Sequence, residues 1–386
     1  MEKTPGNSPE INLLLILAVA GGVFAQELKI SGSLNSGLQG TAESLDPDVS
    51  GSDTETSWDF GAYAQDADVP LARADLNVDF TYDNIGAHIK LRAQGGETNT
   101  VKELPSIYAE YAYVSATVFN IVDIYGGVVD NGAWATAGDE ADDVGEGLGG
   151  LVQIRPIEGL NVGFGVYDGL PAGFSGQDSL LNNTFTYGAA YAYPDLFKVV
   201  ISGRTSDLVM RSIFAGVEVS AIPNLSLAAE IWSKTLDAED KGFTIDEVVS
   251  YDLGDLDVGA TFWQFINLPN FGPLAGTRYL PSPATSKEFN LGLKGNIWAS
   301  YALAGGTFVP KLEVYGGYGG ASEDITAHGE DVTLIYIGGK PSITWNIAEG
   351  AKIVAAYDLG WGKVSSDSVS PTILAQKVYV DFVWSF

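Results

Sequence analysis

The last ten residues, Lys377 to Phe386, read Lys-Val-Tyr-Val-Asp-Phe-Val-Trp-Ser-Phe. Alternate positions Val378, Val380, Phe382, Trp384 and Phe386 are all large and apolar, while Lys377, Tyr379, Asp381, Val383 and Ser385 are mostly polar. A period of two is the mark of a strand with two unlike faces. No helical pattern elsewhere in the chain could cover the apolar face, and the polar face carries charges. The pattern fits a strand with lipid on one side and water on the other.

The same alternation recurs along the chain. In Gly86 to Gln94, Ala87, Ile89, Leu91 and Ala93 face one way and His88, Lys90, Arg92 and Gln94 the other. Leu76, Val78, Phe80 and Tyr82 oppose Arg73, Asp75, Asn77 and Asp79. Short turns rich in Pro, Asn, Asp and Gly, such as Asp83 to Gly86, Phe119-Asn120, Pro156 to Gly159, Pro194-Asp195, Pro223-Asn224, Gly254-Asp255 and Ala348 to Gly350, preset the dihedrals that tight hairpins need. They alternate with longer polar loops: Thr41 to Thr56, Gly95 to Leu104, Asn131 to Gly145, Gly169 to Leu181, Asn267 to Ser286, Gly319 to Glu330 and Gly362 to Pro371. Short turns at one end and long loops at the other define an up-and-down barrel of the outer-membrane kind.

Counting segments predicts an all-β, transmembrane antiparallel barrel of about eighteen strands, with sixteen as the alternative, once the segment Ser57 to Gln65 is merged with the strand after it. Closure is required because an unpaired backbone amide in hydrocarbon costs several kcal/mol. Most strand bases, from Lys29 through Lys90, Arg92, Lys198, Lys294, Lys311 and Lys352 to Lys377, fall on the polar register; Arg211 is the exception. Trp345, Trp384 and Phe386 fall beside the short-turn ends, where aromatic side chains favour the bilayer interface.

Residues 1–25 read as a cleaved signal peptide and 26–386 as the barrel. The run from Ile11 to Ala25 is apolar, too short to span a bilayer, and ends in Val23-Phe24-Ala25, a peptidase-like site. Its n-region departs from the basic pattern, since Glu2 and Glu10 accompany Lys3.

Composition narrows the chemistry. The chain has 47 Gly, no Cys and a net charge of -29. Without Cys there is no disulfide scaffold and no zinc–thiolate site. The acidic balance argues against nucleic acid as a partner. Gly145 to Gly150 matches G-x-G-x-x-G, but a strand pattern follows it rather than a helix, so no phosphate cradle is expected. His88 and His328 are the only histidines, and the sequence shows no Ser–His pair with an orienting acid. The acids at 139–143 lack the spacing of a known calcium loop. No catalytic residue, metal site or cofactor is expected.

Taken together, the signal sequence, the ladder of hairpins and the terminal Phe386 resemble the bacterial outer-membrane porins. The resemblance is one of architecture and covers the whole mature chain. It implies passive diffusion of small hydrophilic solutes and ions through a water-filled lumen, with outer-membrane lipid around the barrel and a homotrimer as the assembly. It also implies that the third long loop folds into the channel. The acids of Asn131 to Gly145, Asp139, Glu140, Asp142 and Asp143, would then face a basic wall of Arg73, His88, Lys90 and Arg92. The terminal strand with Phe382, Trp384 and Phe386 is the expected handle for membrane insertion by the barrel-assembly machinery. An adhesin or structural surface protein acting through its acidic loops is the alternative from another class, and a barrel hydrolase is the third.

Overall fold

The computed structural model describes residues 27–46, 55–60, 72–94, 106–130, 146–167, 184–206, 209–233, 236, 242–268, 289–321, 332–365, 370 and 372–386. In chain order the strands are β1 (Glu27–Asp46), β2 (Glu55–Phe60), β3 (Arg73–Tyr82), β4 (Ile85–Gln94), β5 (Ser106–Val118), β6 (Val122–Asp130), β7 (Glu146–Ile157), β8 (Leu160–Tyr167), β9 (Thr184–Tyr193) and β10 (Phe197–Ser206). They continue as β11 (Val209–Val219), β12 (Leu225–Ser233), β13 (Phe243–Asp252), β14 (Leu256–Leu268), β15 (Phe289–Tyr301), β16 (Phe308–Ala321), β17 (Val332–Ala348), β18 (Ala351–Ser365) and β19 (Thr372–Ser385).

All pairings are antiparallel between neighbours, and the ring is closed by β1 against β19, from Ser33↔Ser385 to Asp46↔Thr372. The other edge of β1 is shared. Glu27–Asn35 pairs with β3, and Leu38–Glu43 pairs with β2. Strands β2 and β3 therefore stand end to end in one position of the wall. The barrel has eighteen strand positions, as the merged segment predicted, and the ring of strands closes on itself.

The turn chemistry follows the local backbone. Asp83, Phe119, Asn120, Asp195 and Asn224 all have positive φ, at 50°, 54°, 60°, 60° and 65°. These are left-handed positions that Asn and Asp tolerate through local hydrogen bonds. A short-turn connection absent from the sequence reading joins β15 and β16 through Ala302 to Thr307, where Ala304 also has φ 52°. Four expected loops start too early. Thr41–Asp46, Asn267–Leu268, Gly319–Ala321 and Gly362–Ser365 belong to strands, because the ladder continues past the segment that alternation alone marks. On the long-loop side, β10 and β11 are separated by only residues 207–208.

The two faces separate as alternation requires. On β19 Val378, Val380, Phe382 and Trp384 are exposed, while Tyr379, Asp381 and Val383 are buried toward the interior. Around the short-turn rim the outer face carries Tyr82, Tyr193, Tyr251, Tyr301, Phe308, Trp345, Trp384 and Phe386, all exposed. Phe308 stacks on Trp345 at 6.1 Å, and Trp384 meets Phe386 at 5.2 Å. This is an aromatic girdle at one interface. Gly32 backs the last residue, exchanging backbone hydrogen bonds with Phe386 at 3.0 Å each way.

Candidate functional site

The inner wall holds the chemistry. On β3 and β4 the interior positions are Arg73, Asp75, Asn77 and Asp79, and His88, Lys90 and Arg92, paired as Asp75↔Arg92, Asn77↔Lys90 and Asp79↔His88. The four expected wall residues are thus brought together on two adjacent strands.

They do not form a bare basic ladder. Arg92 donates from Nε to Asp75 Oδ1 at 2.8 Å and from Nη2 to Oδ2 at 3.1 Å. Arg73 donates to Asp75 Oδ2 from Nε at 3.0 Å and Nη2 at 2.9 Å. Lys90 sits 2.6 Å from Glu110 Oε2 and 3.9 Å from Asp75, and Arg92 also pairs with Glu110. Asp75, 8% exposed, is the hub of the cluster. Asp75 and Glu110 on the same wall offset Arg73, Lys90 and Arg92, with Asp79 beside them. The wall is thus an ion-pair network in which the bases expected there meet acids of the same wall.

Glu110 is the functional residue that sequence reasoning missed. The β4–β5 register shifts between Lys90 and Leu91, so that Lys90 faces Tyr111 while Leu91 faces Ala109. Glu110 is the extra residue of this bulge, turned toward Lys90 and Arg92. The available signal was a parity change on β5, where Tyr108 is even and Tyr111 and Tyr113 are odd. The bulge also sets a run of rings on the wall. Tyr111 and Tyr113 lie 5.7 Å apart, Tyr113 and Tyr125 6.1 Å, and Lys90 Nζ is 5.8 Å from the Tyr111 ring.

His88 is not an isolated histidine. Its Nδ1 is 2.8 Å from Asp79 Oδ1, its Nε2 is 3.2 Å from Ser115 Oγ, and its ring stacks on Tyr113 at 4.7 Å. The expectation that no serine, histidine and orienting acid come together is overturned, because strand pairing joins residues that are 9 and 27 apart in sequence.

A second charged band crosses β15 to β19. Glu313 faces Lys340 and Asp358 faces Lys377 in register. Lys311 and Lys340 reach Glu313 Oε2 at 3.3 and 3.5 Å, Asn296 donates to its Oε1 at 3.3 Å, and Tyr315 hydrogen-bonds Asp358. Lys294 lies 4.2 Å from the Trp263 ring and Lys311 4.9 Å from that of Trp298. Neighbouring strands thus alternate charge and set cations on aromatic faces, which holds long side chains against the wall.

A third interior surface is apolar. Val129, Leu151, Tyr167, Ala190, Val200 and Phe214 form one cluster, with Tyr113, Tyr125 and Trp232 packed against it. The acids Asp139, Glu140, Asp142 and Asp143, and His328, lie outside the described residues. Phe382, Trp384 and Phe386 stand on the outer face of the closing strand, as expected. Among the described residues no group of three or more His, Cys, Asp or Glu is placed to hold a metal.

A closed antiparallel ring with an apolar outer face, an aromatic rim and a charged interior has the fold of the outer-membrane porins. Solved structures agree. Acinetobacter baumannii OccAB3 aligns with a TM-score of 0.57 at 11% identity, over 93% of this chain and all of that one. A BenF-like porin from Pseudomonas fluorescens gives 0.56 at 11%, over 94% and 100%. Pseudomonas aeruginosa OpdK, solved with vanillate, gives 0.52 at 12%, over 93% and 99%. No protein-family model matches the chain, and no curated protein matches it.

Proposed function

We propose that the protein is a bacterial outer-membrane porin through which small hydrophilic solutes and ions diffuse passively. The observation that carries this is the sorting of faces. An exposed apolar belt surrounds an interior lined by Arg73, Asp75, Lys90, Arg92, Glu110, Lys311, Glu313 and Lys340. Such a wall orients polar solutes and sets selectivity by its field, and diffusion through it needs no cofactor. Purified protein added to a planar bilayer should give discrete conductance steps; folded protein that inserts and never conducts refutes the proposal.

The cations held along the wall beside a run of tyrosines fit a small, ring-bearing carboxylate, the chemistry that vanillate represents in OpdK. Constriction by loop 131–145, with Asp139, Glu140, Asp142 and Asp143 against Arg73, His88, Lys90 and Arg92, belongs to the same proposal. Its support is the apolar interior patch beginning at the loop's root. Val129, Leu151 and Val200 face the lumen yet are 1%, 1% and 0% exposed. The adhesin alternative rests on loops outside the described residues.

Export by a signal comprising residues 1–25 belongs to the same reading, and its support is the apolar run from Ile11 to Ala25. Engagement of the assembly machinery by the terminal strand is supported by β19, which closes the ring and keeps Phe382, Trp384 and Phe386 on the outer face. Support for a homotrimer is narrower and comes from Glu247. It lies exposed on the outer register of β13, four residues from the rim residue Tyr251, opposite Ala229 and Phe262. That is about 13 Å along the strand, or about 10 Å into an apolar band of about 25 Å at a tilt of ~40°. A carboxylate there is better served by a neighbouring subunit than by acyl chains.

A further inference from the structure

Asp79, His88 and Ser115 occupy three adjacent strands of the wall. Asp79 faces His88 across β3 and β4, and Ser115 faces Gly86 across β4 and β5. His88 leans over Gly86 to reach the serine on the diagonal. A Cβ on Gly86 would stand 2.7 Å from both His88 Nε2 and Ser115 Oγ, so the contact exists because position 86 has no side chain. Asp79 accepts from Nδ1–H at 2.8 Å, which fixes the tautomer whose Nε2 accepts the Ser115 hydroxyl at 3.2 Å. Tyr113 stacks on the imidazole at 4.7 Å and holds its plane. The His88 and Asp79 side chains are 27% and 32% exposed, so a solute in the lumen can reach them.

We propose that Ser115 is an activated nucleophile, with His88 as its general base and Asp79 as the residue that positions His88, and that it takes the acyl group of small esters entering the lumen. The arrangement has the order of roles that acyl transfer requires. Ser115 Oγ attacks the ester carbonyl carbon while its proton passes to His88 Nε2. The carbon–oxygen bond to the leaving alcohol breaks, and that proton goes to the departing oxygen. Water, losing a proton to His88, then cleaves the acyl-serine, releasing the carboxylic acid and restoring Ser115. The backbone amides of paired strands are spent on the ladder, so no oxyanion hole is built from them. Turnover is therefore expected to be slow, about 10²–10³ below a site that has those donors. The proposal rests on the channel reading only for the route by which an ester arrives.

The test uses the full-length folded barrel and a small alkyl fluorophosphonate, which forms a serine–phosphorus bond with loss of fluoride. Mass analysis should find the adduct on the peptide that contains Ser115 and find none there in Ser115→Ala. His88→Gln should slow the labelling about 100-fold, the scale of a lost general base. Gly86→Ala should slow it by at least about tenfold while leaving every reacting group in place. Slow release of nitrophenol from p-nitrophenyl acetate should follow the same order. Folding of each variant is checked by the mobility shift of barrels on heating. No adduct at Ser115, or an adduct that forms equally fast in His88→Gln and Gly86→Ala, overturns the proposal. Conductance without labelling sinks this inference alone, and labelling without conductance sinks the channel alone.

Discussion

Asp75→Asn is the sharpest probe of the lumen wall. The substitution keeps the shape of the side chain and removes one negative charge from the hub of the ion-pair network. For an ion passing about 8 Å away, one unit charge changes its energy by about 0.5 kcal/mol at the dielectric constant of water and about 2 kcal/mol at an effective value of 20. An anion gains what a cation loses, so even the weaker limit separates the two by about 1 kcal/mol. That moves the anion-to-cation permeability ratio about fivefold toward anions. The assay is the reversal potential in a planar bilayer under a potassium chloride gradient. It should be run near 0.1 M, where the screening length is about 10 Å; the shift should shrink as salt is raised. Arg73 and Arg92 each lose a charged acceptor, and the barrel should lose about 1–3 kcal/mol of stability, less than the ~3–5 kcal/mol of a fully buried pair because the lumen is wet. The double variant Asp75→Asn with Arg73→Gln restores the sum of charges and should return the reversal potential to near that of the wild type. A folded Asp75→Asn barrel whose reversal potential does not move at low salt refutes the assignment of this cluster to the conducting path.

Four further outcomes are expected. Glu247→Leu should weaken the oligomer seen on native gels while stabilising the isolated barrel against urea in lipid vesicles by up to about 2 kcal/mol, since an acidic side chain on the lipid face costs less than the ~2–4 kcal/mol of a basic one; an oligomer unchanged in the variant would remove Glu247 as a subunit contact. Gly338→Ala puts a Cβ into the ring and hydroxyl of Tyr315 and should displace its bond to Asp358, costing about 1–3 kcal/mol as a lower unfolding midpoint. Deleting Phe386 removes the Gly32 backbone bonds and the Trp384 contact, and should slow insertion into vesicles followed by gel mobility. Deleting Glu110 removes the bulge and the acid that Lys90 and Arg92 share, and should shift selectivity toward anions in the same bilayer assay.

What could be read from the residues and what could not divide along one physical line. Alternation is local, because a strand turns successive side chains to opposite sides whatever its partner is. The outer face of β19, the interior places of Arg73, His88, Lys90 and Arg92, and the short turns were legible for that reason. The merging of β2 and β3 into one position was also legible, because eighteen positions close with both chain ends at one rim. Pairings between strands are not local. Asp75 was visible as an interior residue, but its grip on Arg92 depends on register between β3 and β4. The register of β4 against β5 changes at one bulge, and that single inserted residue decides which acid meets Lys90 and Arg92. The His88 contacts follow the same rule, with a further condition that only three dimensions reveal. Gly86 reads in the sequence as the end of a turn, whereas in the wall its missing side chain is the gap through which histidine and serine touch. A residue chosen for turn chemistry thus also sets the reach of a side chain two positions away, and the period-two pattern carries no trace of that second consequence.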